Sequence, residues 1–373
     1  MNPPYGSWVE ISTAALEGNA RAIRAAVPGK RVIAIVKSDA YGHGIETAME
    51  AFCRAGVDAF AVVYPAEAYR VRKAAGDRAK LILVLGGALP EETPELMRQD
   101  VTTVVADAAQ AKAFSEAAKA AGGKLRVHVK LDTGMGRLGF LMPRDLPDAV
   151  SVAGMDGLEL EGICAHFAMV EPVSHPQKAK KQMEKFFEAA DAIEKAAGKK
   201  LLKHVSSSRA SLVTPEYDLD AIRPGIVLYG YGAHAAFGRY ATRPAMQWKA
   251  RVVQVRDVPE GTGVGYYGAY VAKRATKIAV ASAGYADGYN RHLGNRGDVL
   301  VGGQRKPVAG RVSMNWICID LGPESDVKPG DEVVLLGAQG EESVWAGELA
   351  EHCGTIAYEI LTGISKHLPR IPV

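Results

Sequence analysis

Cysteine is scarce in this chain, and its spacing argues against a disulfide framework. The 373 residues include only four cysteines, which are Cys53, Cys164, Cys318 and Cys353. They are widely separated and form no Cys-x-x-Cys pair, so neither a stapled fold nor a cysteine-based zinc site is expected. Cys164 and Cys318 lie inside apolar runs. We therefore expect buried thiols.

The chain also lacks a long apolar run and a strong charge imbalance. No stretch approaches the roughly 20 apolar residues that span a bilayer, and residues 1–6 lack the apolar core of a signal peptide. The formal net charge of +3 gives no reason to expect nucleic acid as a partner. These absences lead us to expect a cytoplasmic protein without a membrane or nucleic-acid partner. Its length suits one large domain and a smaller one.

Short apolar runs alternate with helical segments through the first two-thirds of the sequence. The candidate strands are residues 32–37, 59–63, 81–85, 102–105, 125–131, 158–164, 204–206 and 225–228. Segments such as 110–121 and 178–197 lie between them and have the apolar spacing of amphipathic helices. This alternation predicts an α/β fold, a (β/α)8 barrel of the TIM type. A doubly wound sheet is the alternative, although it would use fewer strands.

After about residue 237 the sequence becomes typical of β-structure. Val- and Ile-rich runs separated by Gly, Pro and Asp predict strands at residues 249–256, 277–283, 299–301, 308–312, 317–321 and 332–336. We therefore predict a barrel over residues 12–237, followed by a mainly β C-terminal domain over residues 238–373. Residues 8–11 alternate like a further strand, and Ser12 and Thr13 after it resemble a helix cap.

A lysine ends the first predicted strand. Burial at the end of this apolar run can lower the pKa of the Lys37 amine, which would let it act as a Schiff-base nucleophile and as a general base. The turn Tyr41-Gly42-His43-Gly44 follows it closely. A phenol, an imidazole and backbone amides without side chains suit an anionic group such as phosphate.

Polar residues follow other predicted strands as well. Residues 132–137 follow the fifth strand, His166 follows the sixth, Ser207 and Ser208 follow the seventh, and Arg223 precedes the eighth. Because the active site of such a barrel lies at the carboxyl ends of its strands, we expect these residues to meet at one mouth. No second histidine lies three or four residues from His166, so we predict no metal site.

The lysine followed by Tyr-Gly-His-Gly resembles the pyridoxal phosphate signature of the alanine racemase family. Further segments similar to that family are residues 130–137, 223–230, 263–268, 284–289, 310–315 and 357–360. The resemblance thus extends from about Trp8 to Arg370. It implies pyridoxal 5'-phosphate as the cofactor and a two-base interconversion of L- and D-alanine, which supplies D-alanine for peptidoglycan. It also implies that residues 1–11 join the β-domain.

The resemblance implies roles for residues of the barrel. Lys37 would carry the cofactor, Arg137 would lie near the substrate carboxylate, and Lys130 is a candidate for a carbamylated lysine that positions Arg137. Arg223 would hydrogen-bond the pyridine nitrogen, and because a guanidinium stays protonated, the ring would be a weak electron sink that favours racemisation over transamination. His166 would support this arginine. The phosphate would be held by Tyr41, Ser208 and the backbone of Gly225 and Ile226.

The β-domain would supply a second set of residues. Tyr266 would be the second catalytic base, Met314 would bind the substrate carboxylate through its backbone amide, Tyr285 would also lie at the substrate, and Tyr358 would border substrate and cofactor. In the family the tyrosine that Tyr266 matches reaches the barrel of a partner subunit, which implies a homodimer with shared sites. The segment 263–268 also fits G-x-G-x-x-G, but the strand-like residues after it argue against a dinucleotide fingerprint.

Two departures from the family pattern leave the substrate range open. Asn315 stands where the family usually has aspartate, and Ser206-Ser207-Ser208 replaces the usual Ala-Asn-Ser. A broad-specificity racemase, or one for lysine or serine, is therefore the alternative. A basic amino-acid decarboxylase fits worse, because it would place an acid rather than Arg223 at the pyridine nitrogen. A non-catalytic cofactor carrier would lack Tyr266 and the whole β-domain.

Overall fold

The chain divides into two compact units. The computed structural model describes residues 5–86, 88–168, 176–232 and 239–373. The barrel unit comprises Ala15–Ala40 and Ile45–Arg243, and the β unit comprises Met1–Ala14, Tyr41–Gly44 and Pro244–Val373. The domain boundary proposed between residues 237 and 238 lies outside the described residues.

The first two-thirds of the chain alternate strands and helices. In chain order the elements are β1 (Ser7–Ile11), α1 (Thr13–Ala26), β2 (Arg31–Ile35), α2 (Ile45–Arg54), β3 (Ala59–Val62), α3 (Pro65–Ala75), β4 (Leu81–Val84), α4 (Thr93–Arg98), β5 (Thr102–Val105), α5 (Ala108–Ala120), β6 (Leu125–Asp132), β7 (Phe140–Leu141), α6 (Leu146–Ser151), β8 (Leu158–Cys164), α7 (Pro176–Ala197), β9 (Leu202–His204), α8 (Ser208–Val213) and β10 (Ala221–Ile222). Strands β3, β4 and β5 are buried at every residue, as parallel strands covered on both faces require.

Eight parallel strands form the predicted barrel. Their order in the sheet is β10-β2-β3-β4-β5-β6-β8-β9, and β7 pairs with β6 beside this path. A parallel bridge between Ser207 and Arg223 closes the ring, and the Arg223 N–H donates to the Ser206 carbonyl over 2.8 Å. The predicted (β/α)8 fold is thereby confirmed, and the doubly wound alternative is wrong.

The position predicted for the eighth strand is wrong. The strand is Ala221–Ile222, which pairs with β2, and Ile226–Tyr229 forms a 3₁₀ turn instead. Pro224 has no N–H to donate to a ladder, so an extended run through it is disfavoured. The apolar residues after it are buried for packing, and the Tyr229 hydroxyl donates to the Ile35 carbonyl over 3.0 Å. Arg223 consequently follows the eighth strand rather than preceding it.

The β unit is built around one long strand. Its further elements are β11 (Met246–Val258), β12 (Gly263–Val264), β13 (Tyr270–Val271), β14 (Thr276–Ala281), β15 (Asp298–Val301), β16 (Gln304–Pro307), β17 (Ile317–Gly322), β18 (Glu332–Gln339), β19 (Glu342–Val344), α9 (Ala346–Cys353), α10 (Ala357–Gly363) and β20 (Arg370–Pro372). Strand β11 pairs with β1, β14 and β18, and β1 also pairs with β20. The amino-terminal strand therefore packs with the carboxyl-terminal sheet.

Two details of this unit differ from the sequence prediction. The strand expected at residues 308–312 is absent, since Val308 makes only an isolated bridge to Ile319, and the strand lies at Gln304–Pro307. Its side chains are mostly exposed and polar, as is common at a sheet edge, so no apolar pattern marks it. The Gly-rich segment 263–268 lies in the hairpin of β12 and β13, and the chain continues into β14 rather than into a helix. A dinucleotide fingerprint is thereby excluded.

Candidate active site

The first strand of the barrel, β2, ends before Lys37 rather than at it. Strand β2 ends at Ile35, and Ser38, Asp39, Ala40 and Tyr41 have φ angles of 55°, 57°, 54° and 54°. These four residues form one left-handed turn, which we call the αL turn. Each non-glycine residue in this region costs about 1–2 kcal/mol relative to the right-handed conformation. A strained backbone segment thus begins directly after Lys37, the lysine that the sequence analysis predicts to carry the cofactor.

The surroundings of Lys37 lower the pKa of its amine. Its pKa is lowered first by burial and then by the positive charge of Arg137, while the negative charge of Glu67 opposes the shift. A larger neutral fraction makes a lysine a better nucleophile and base.

A buried carboxylate shapes the loop that carries Arg137. Asp132, at the end of β6, accepts hydrogen bonds from the backbone N–H groups of Gly134, Met135 and Arg137 over 2.9, 2.8 and 3.0 Å. Burial disfavours its charged form, but these backbone donors hold its pKa below the ordinary value. The loop is therefore organised around a carboxylate that stays ionised, while the Arg137 side chain is exposed.

Lys130 is a second lysine of unusual environment. Its side chain is 8% exposed. Burial is the main cause that lowers its pKa to about 8, with the positive charges of Arg223 and Arg137 adding to the shift. An appreciable fraction of this amine is neutral near neutral pH, which is the form that reacts with carbon dioxide.

Arg223 is held from several directions. It is 5% exposed and follows β10. Its guanidinium donates to the carbonyls of His204, Ala165 and Val205 over 2.6, 2.7 and 3.0 Å. It also donates to Nδ1 of His204 over 2.6 Å and to Nδ1 of His166 over 3.4 Å. A guanidinium with these acceptors keeps both its position and its charge.

These contacts determine where the imidazole protons lie. The pKa of His166 is lowered to about 3, first by burial and then by the charge of Arg223, so the ring is neutral at pH 7. Because its Nδ1 accepts from Arg223, its proton lies on Nε2, where it can be donated to another group. His204 is likewise neutral, and its Nε2 donates to Nδ1 of His128 over 2.8 Å.

His128 and His204 were not selected from the sequence. Both are buried and lie in strands. The sequence feature that could have indicated them is a histidine between apolar strand residues, as in Val127-His128-Val129. Gly162 of β8 makes room for the His128 ring, since a Cβ there would lie 2.7 Å from two of its atoms. The β6 and β8 register also shifts between Val127 and His128.

We predict that acid destabilises the protein through this histidine pair. Burial lowers the pKa of His128 to about 3, from 6.5 in the unfolded chain, so unfolding takes up protons as pH falls between these values. The stability that the neutral ring contributes is fully present above pH 6.5 and is lost as pH falls towards 3.

The His128→Asn variant tests this, because Asn can place an acceptor near the Nδ1 position but does not titrate. Urea unfolding between pH 7 and pH 5 should show a shallower pH dependence for the variant, by up to about 1.4 kcal/mol per pH unit. Identical slopes for the two proteins would contradict the assignment.

The expected phosphate-binding residues of the barrel lie together. Ser208, at the start of α8, accepts the Gly225 N–H at its hydroxyl oxygen over 2.8 Å. Gly225 directly precedes the 3₁₀ turn that begins at Ile226. The Ser208 hydroxyl hydrogen remains as a donor towards an anion.

The charged side chains of the barrel act on one another. The charges of Arg223, Lys130, Arg137 and Lys37 all contribute to the lowered pKa of His166. These groups follow β2, β6, β8 and β10 or lie near the end of β6. The structure thus places Lys37, Lys130, Arg137, His166 and Arg223 in one electrostatic neighbourhood at the carboxyl ends of the barrel strands.

The β unit brings Tyr266, Met314 and Asn315 together. One surface cleft is lined by Gly265, Tyr266, Ser313, Met314, Asn315 and Trp316. Tyr266 is 63% exposed, and the adjacent Tyr267 is 89% exposed with a φ of 62° and lies against the Arg311 guanidinium, 4.8 Å from the ring centre. Tyr266 is therefore an exposed side chain that lines this cleft.

A close backbone approach joins two of the predicted loops in the β unit. The Tyr285 N–H donates to the Ser313 carbonyl over 3.0 Å, and the Ala286 N–H donates to the Met314 carbonyl over 2.9 Å. A Cβ on Gly284 would lie 2.2 Å from the Met314 oxygen, so this approach requires glycine. Tyr285 and Met314 are thereby fixed side by side.

Tyr41 belongs to the β unit by its contacts. Its ring lies 5.9 Å from that of Tyr358, and the Gly42 carbonyl accepts a hydrogen bond from Arg370 over 2.8 Å. A Cβ on Gly42 would lie 2.5 Å from the Leu361 oxygen. Burial raises the pKa of the Tyr41 phenol, so it acts as a neutral hydrogen-bond donor.

The described part of the chain offers neither a metal-ligand cluster nor a membrane-spanning helix. No group of three His, Cys, Asp or Glu side chains in that part of the chain is placed to hold a metal ion. No helix in the same residues is long and apolar enough to cross a membrane.

An eight-stranded parallel barrel with charged side chains gathered at the carboxyl ends of its strands, together with a mainly antiparallel β unit, has the architecture of a barrel enzyme. Family models agree with this class. The model of the alanine racemase N-terminal domain matches residues 11–233, and that of the alanine racemase C-terminal domain matches residues 245–372. The chain belongs to the alanine racemase family.

Individual relatives cover nearly the whole chain. The alanine racemase of Syntrophobacter fumaroxidans is 40% identical over 363 residues, which are 97% of this chain and 96% of that protein. The crystal structure of alanine racemase from Streptomyces lavendulae has a TM-score of 0.93 and 33% identity, covering 100% of this chain and 98% of that one. Alanine racemase from Bartonella henselae, solved with covalently bound pyridoxal phosphate, has a TM-score of 0.86 and 26% identity, covering 99% and 100%.

Proposed function

We propose that this protein interconverts L- and D-alanine with pyridoxal 5'-phosphate and so supplies D-alanine for peptidoglycan. The observation that carries the proposal is the Lys37 amine, whose pKa is lowered and which lies at the strand ends of the barrel. The Arg223 guanidinium, held by hydrogen bonds to His204, lies at the same strand ends. These residues fit the cofactor, since a reactive amine, a fixed cation and the Ser208 hydroxyl suit an aldehyde that carries a phosphate. When bound, the cofactor withdraws electrons from the substrate Cα and acidifies its proton.

The barrel residues divide the work of binding. Lys37 holds the cofactor and serves as the base on one face of the substrate. Arg223 would donate a hydrogen bond to the pyridine nitrogen, and because its guanidinium stays protonated it would not transfer a proton to that nitrogen. Ser208 and Tyr41 would hold the phosphate through their hydroxyls and Ile226 through its backbone N–H, while the Gly225 N–H, which donates to the Ser208 oxygen, would orient that hydroxyl.

The second face of the substrate needs a second base, and we assign it to Tyr266. A phenol is a weak base at neutral pH, so a donor must favour its phenolate. The Nε2 proton of His166 is suited to this, because Arg223 occupies the other ring nitrogen. Arg137 and the Met314 amide bind the substrate carboxylate, Tyr285 lies at the substrate, and Tyr358 borders substrate and cofactor.

Lys130 is proposed to be carbamylated. Its lowered pKa supplies the neutral amine that the modification needs, and the resulting anion would be compensated by Arg137 and Arg223, whose charges act on this side chain. The carbamate would then orient the Arg137 guanidinium.

The working assembly is proposed to be a homodimer, with the Tyr266 of each chain serving the barrel of its partner. The exposed phenol at the cleft of the β unit supports this arrangement, since it is accessible to another chain. A cytoplasmic location is part of the proposal, in keeping with the scarcity of cysteine. Neither nucleic acid nor a membrane is a proposed partner.

A racemase of wider range, or one for lysine or serine, is the second candidate. Asn315 favours it, because this uncharged side chain lines the same cleft as Tyr266 and Met314, where the family usually has aspartate. The chemistry would be the same, and only the space and charge beside the substrate would differ.

The test is a comparison of L-alanine, L-serine and L-lysine with the purified chain and pyridoxal phosphate. Chiral chromatography should show D-alanine forming with a kcat/KM at least about tenfold above those of the other two, since a well-fitted pocket separates small side chains by about 10- to 200-fold. Equal or faster formation of D-serine or D-lysine would support the second candidate. Absence of any racemisation would overturn both.

A further inference from the structure

The side-chain carboxylate of Glu67, on a neighbouring helix, accepts a backbone hydrogen bond from the αL turn. Glu67 lies near the start of α3, and its two oxygens accept hydrogen bonds from two backbone N–H groups. One oxygen accepts from Asp39, inside the turn, over 3.2 Å. The other accepts from Val63, just beyond β3, over 3.4 Å. The side chain therefore ties the turn after the first barrel strand to the end of the next strand.

The turn is also linked to the following helix. The Asp39 carboxylate accepts the N–H of Ile45, the first residue of α2, over 3.1 Å and pairs with the Arg70 guanidinium at 2.8 Å. Arg70 lies one helical turn after Glu67 and pairs in addition with the exposed Glu46 at 2.7 Å. Glu67 and Arg70 thus reach the same turn from one face of α3.

We propose that Glu67 is a positioning residue for racemisation, which holds the αL turn and thereby fixes the place of the Lys37 amine two residues before Asp39. The proposal rests on the proposed function, in which Lys37 carries the cofactor and acts as a base. A left-handed turn of non-glycine residues persists only where its surroundings over-determine it. Loss of the Glu67 contact should let the turn relax, and Lys37 moves with it.

Glu67 also acts on the amine through its charge. Its negative charge raises the pKa of Lys37, whereas burial and Arg137 lower it, and Lys37 in turn lies close enough to His166 to lower the pKa of that ring. The charge and the hydrogen bonds of Glu67 can be separated by substitution. Glu67→Gln removes the charge and one of the two acceptors, and Glu67→Asp keeps the charge but retracts it by one methylene.

Two measurements on the full-length chain test the proposal. In the first, Lys37 of the cofactor-free protein is labelled by reductive methylation across a pH range, and each lysine is quantified by mass spectrometry. In Glu67→Gln the labelling midpoint of Lys37 should move to lower pH, while that of the buried Lys130 stays in place. In the second, kcat and KM for L-alanine are measured with bound cofactor. Both Glu67 variants should lose kcat by about tenfold or more, with KM within about twofold, since a misplacement of ~1 Å can cost about 10²-fold in rate.

Glu46→Gln is the matched control, because Glu46 pairs with Arg70 but contacts no backbone of the turn. It should resemble the wild type in both measurements. Wild-type kcat and an unmoved Lys37 midpoint in Glu67→Gln would overturn the inference while leaving the proposed function intact. A parallel rise in labelling at Lys37 and Lys130 would show general loosening and would also overturn it. A wild-type protein that never attaches the cofactor to Lys37 would instead refute the proposed function.

Discussion

Lys37→Ala should abolish racemisation and leave the cofactor bound only reversibly. The substitution removes both the covalent attachment point and one of the two proposed bases, and general base catalysis alone typically contributes about 10²- to 10⁴-fold. We therefore expect a loss of at least about 10³-fold in kcat. Lys37 is partly buried, and its pKa is already lowered by burial, so removing the amine should leave the fold in place.

Borohydride reduction and peptide mapping provide the direct measurement. In the wild-type protein the reduced cofactor should be found on the peptide that contains residue 37, and in Lys37→Ala it should be absent. Lys30→Ala, an exposed lysine of the same unit, serves as the control and should retain both label and activity. Recovery of the label on Lys130, the other lysine with a lowered pKa near this site, would show that the wrong amine had been chosen.

Most strands of the barrel were predictable because a strand that is buried on both faces consists mainly of apolar residues. Fully covered parallel strands such as β3 and β4 are continuous apolar runs, and six of the eight predicted runs coincide with strands, while the run at residues 204–206 shares only His204 with β9. The strand prediction at residues 225–228 was wrong because an apolar run indicates buried residues and does not by itself indicate an extended backbone. Pro224 was the available warning, since it cannot donate to a ladder.

The αL turn was beyond the reach of sequence patterns. Of Ser38, Asp39, Ala40 and Tyr41, only aspartate is enriched at positive φ, so no local preference predicts four consecutive positive φ angles in non-glycine residues. The conformation is held by contacts from Glu67 and Arg70, which lie 28 and 31 residues after Asp39 in the chain. From the sequence, only the Tyr41-Gly42-His43-Gly44 segment, whose first residue is the last of the turn, was singled out, and it was selected as a site for an anion.

The histidine chain behind Arg223 was missed for a related reason. A histidine inside an apolar strand is usually a satisfied core residue, and nothing local joins His128 to His204, which is 76 residues away. Strand β8 lies between β6 and β9 in the sheet, and its Gly162, which pairs with His128, leaves room for the two rings to meet. In the β unit, by contrast, Tyr266 and Met314 were selected by motif, and a shared cleft contains both.

Tyr266→Phe should impair proton removal from one enantiomer of alanine far more than from the other. The variant lacks only a hydroxyl, and the loss expected for a missing general base is about 10²- to 10⁴-fold on that face. Lys37 remains, so the α-proton of the opposite enantiomer should still exchange with solvent deuterium, which NMR can follow for each enantiomer separately.

The neighbouring tyrosine gives a matched control for this variant. Tyr267→Phe removes the same hydroxyl one residue away and preserves the ring that lies against Arg311. It should exchange both enantiomers at wild-type rates. Equal losses for both enantiomers in Tyr266→Phe would refute the facial assignment.

Mixing Tyr266→Phe with Lys37→Ala tests whether the two bases come from different chains. If each site combines Lys37 of one subunit with Tyr266 of its partner, a mixed dimer has one complete site and one site that lacks both bases. Random exchange of subunits at equal concentrations makes half of the dimers mixed, so about a quarter of the wild-type activity should return. If both bases belonged to one chain, no complete site would form in any dimer. Mixed dimers that are demonstrably present but inactive would therefore place Tyr266 and Lys37 of a site on the same subunit, and the dimer would have no part in assembling the catalytic pair.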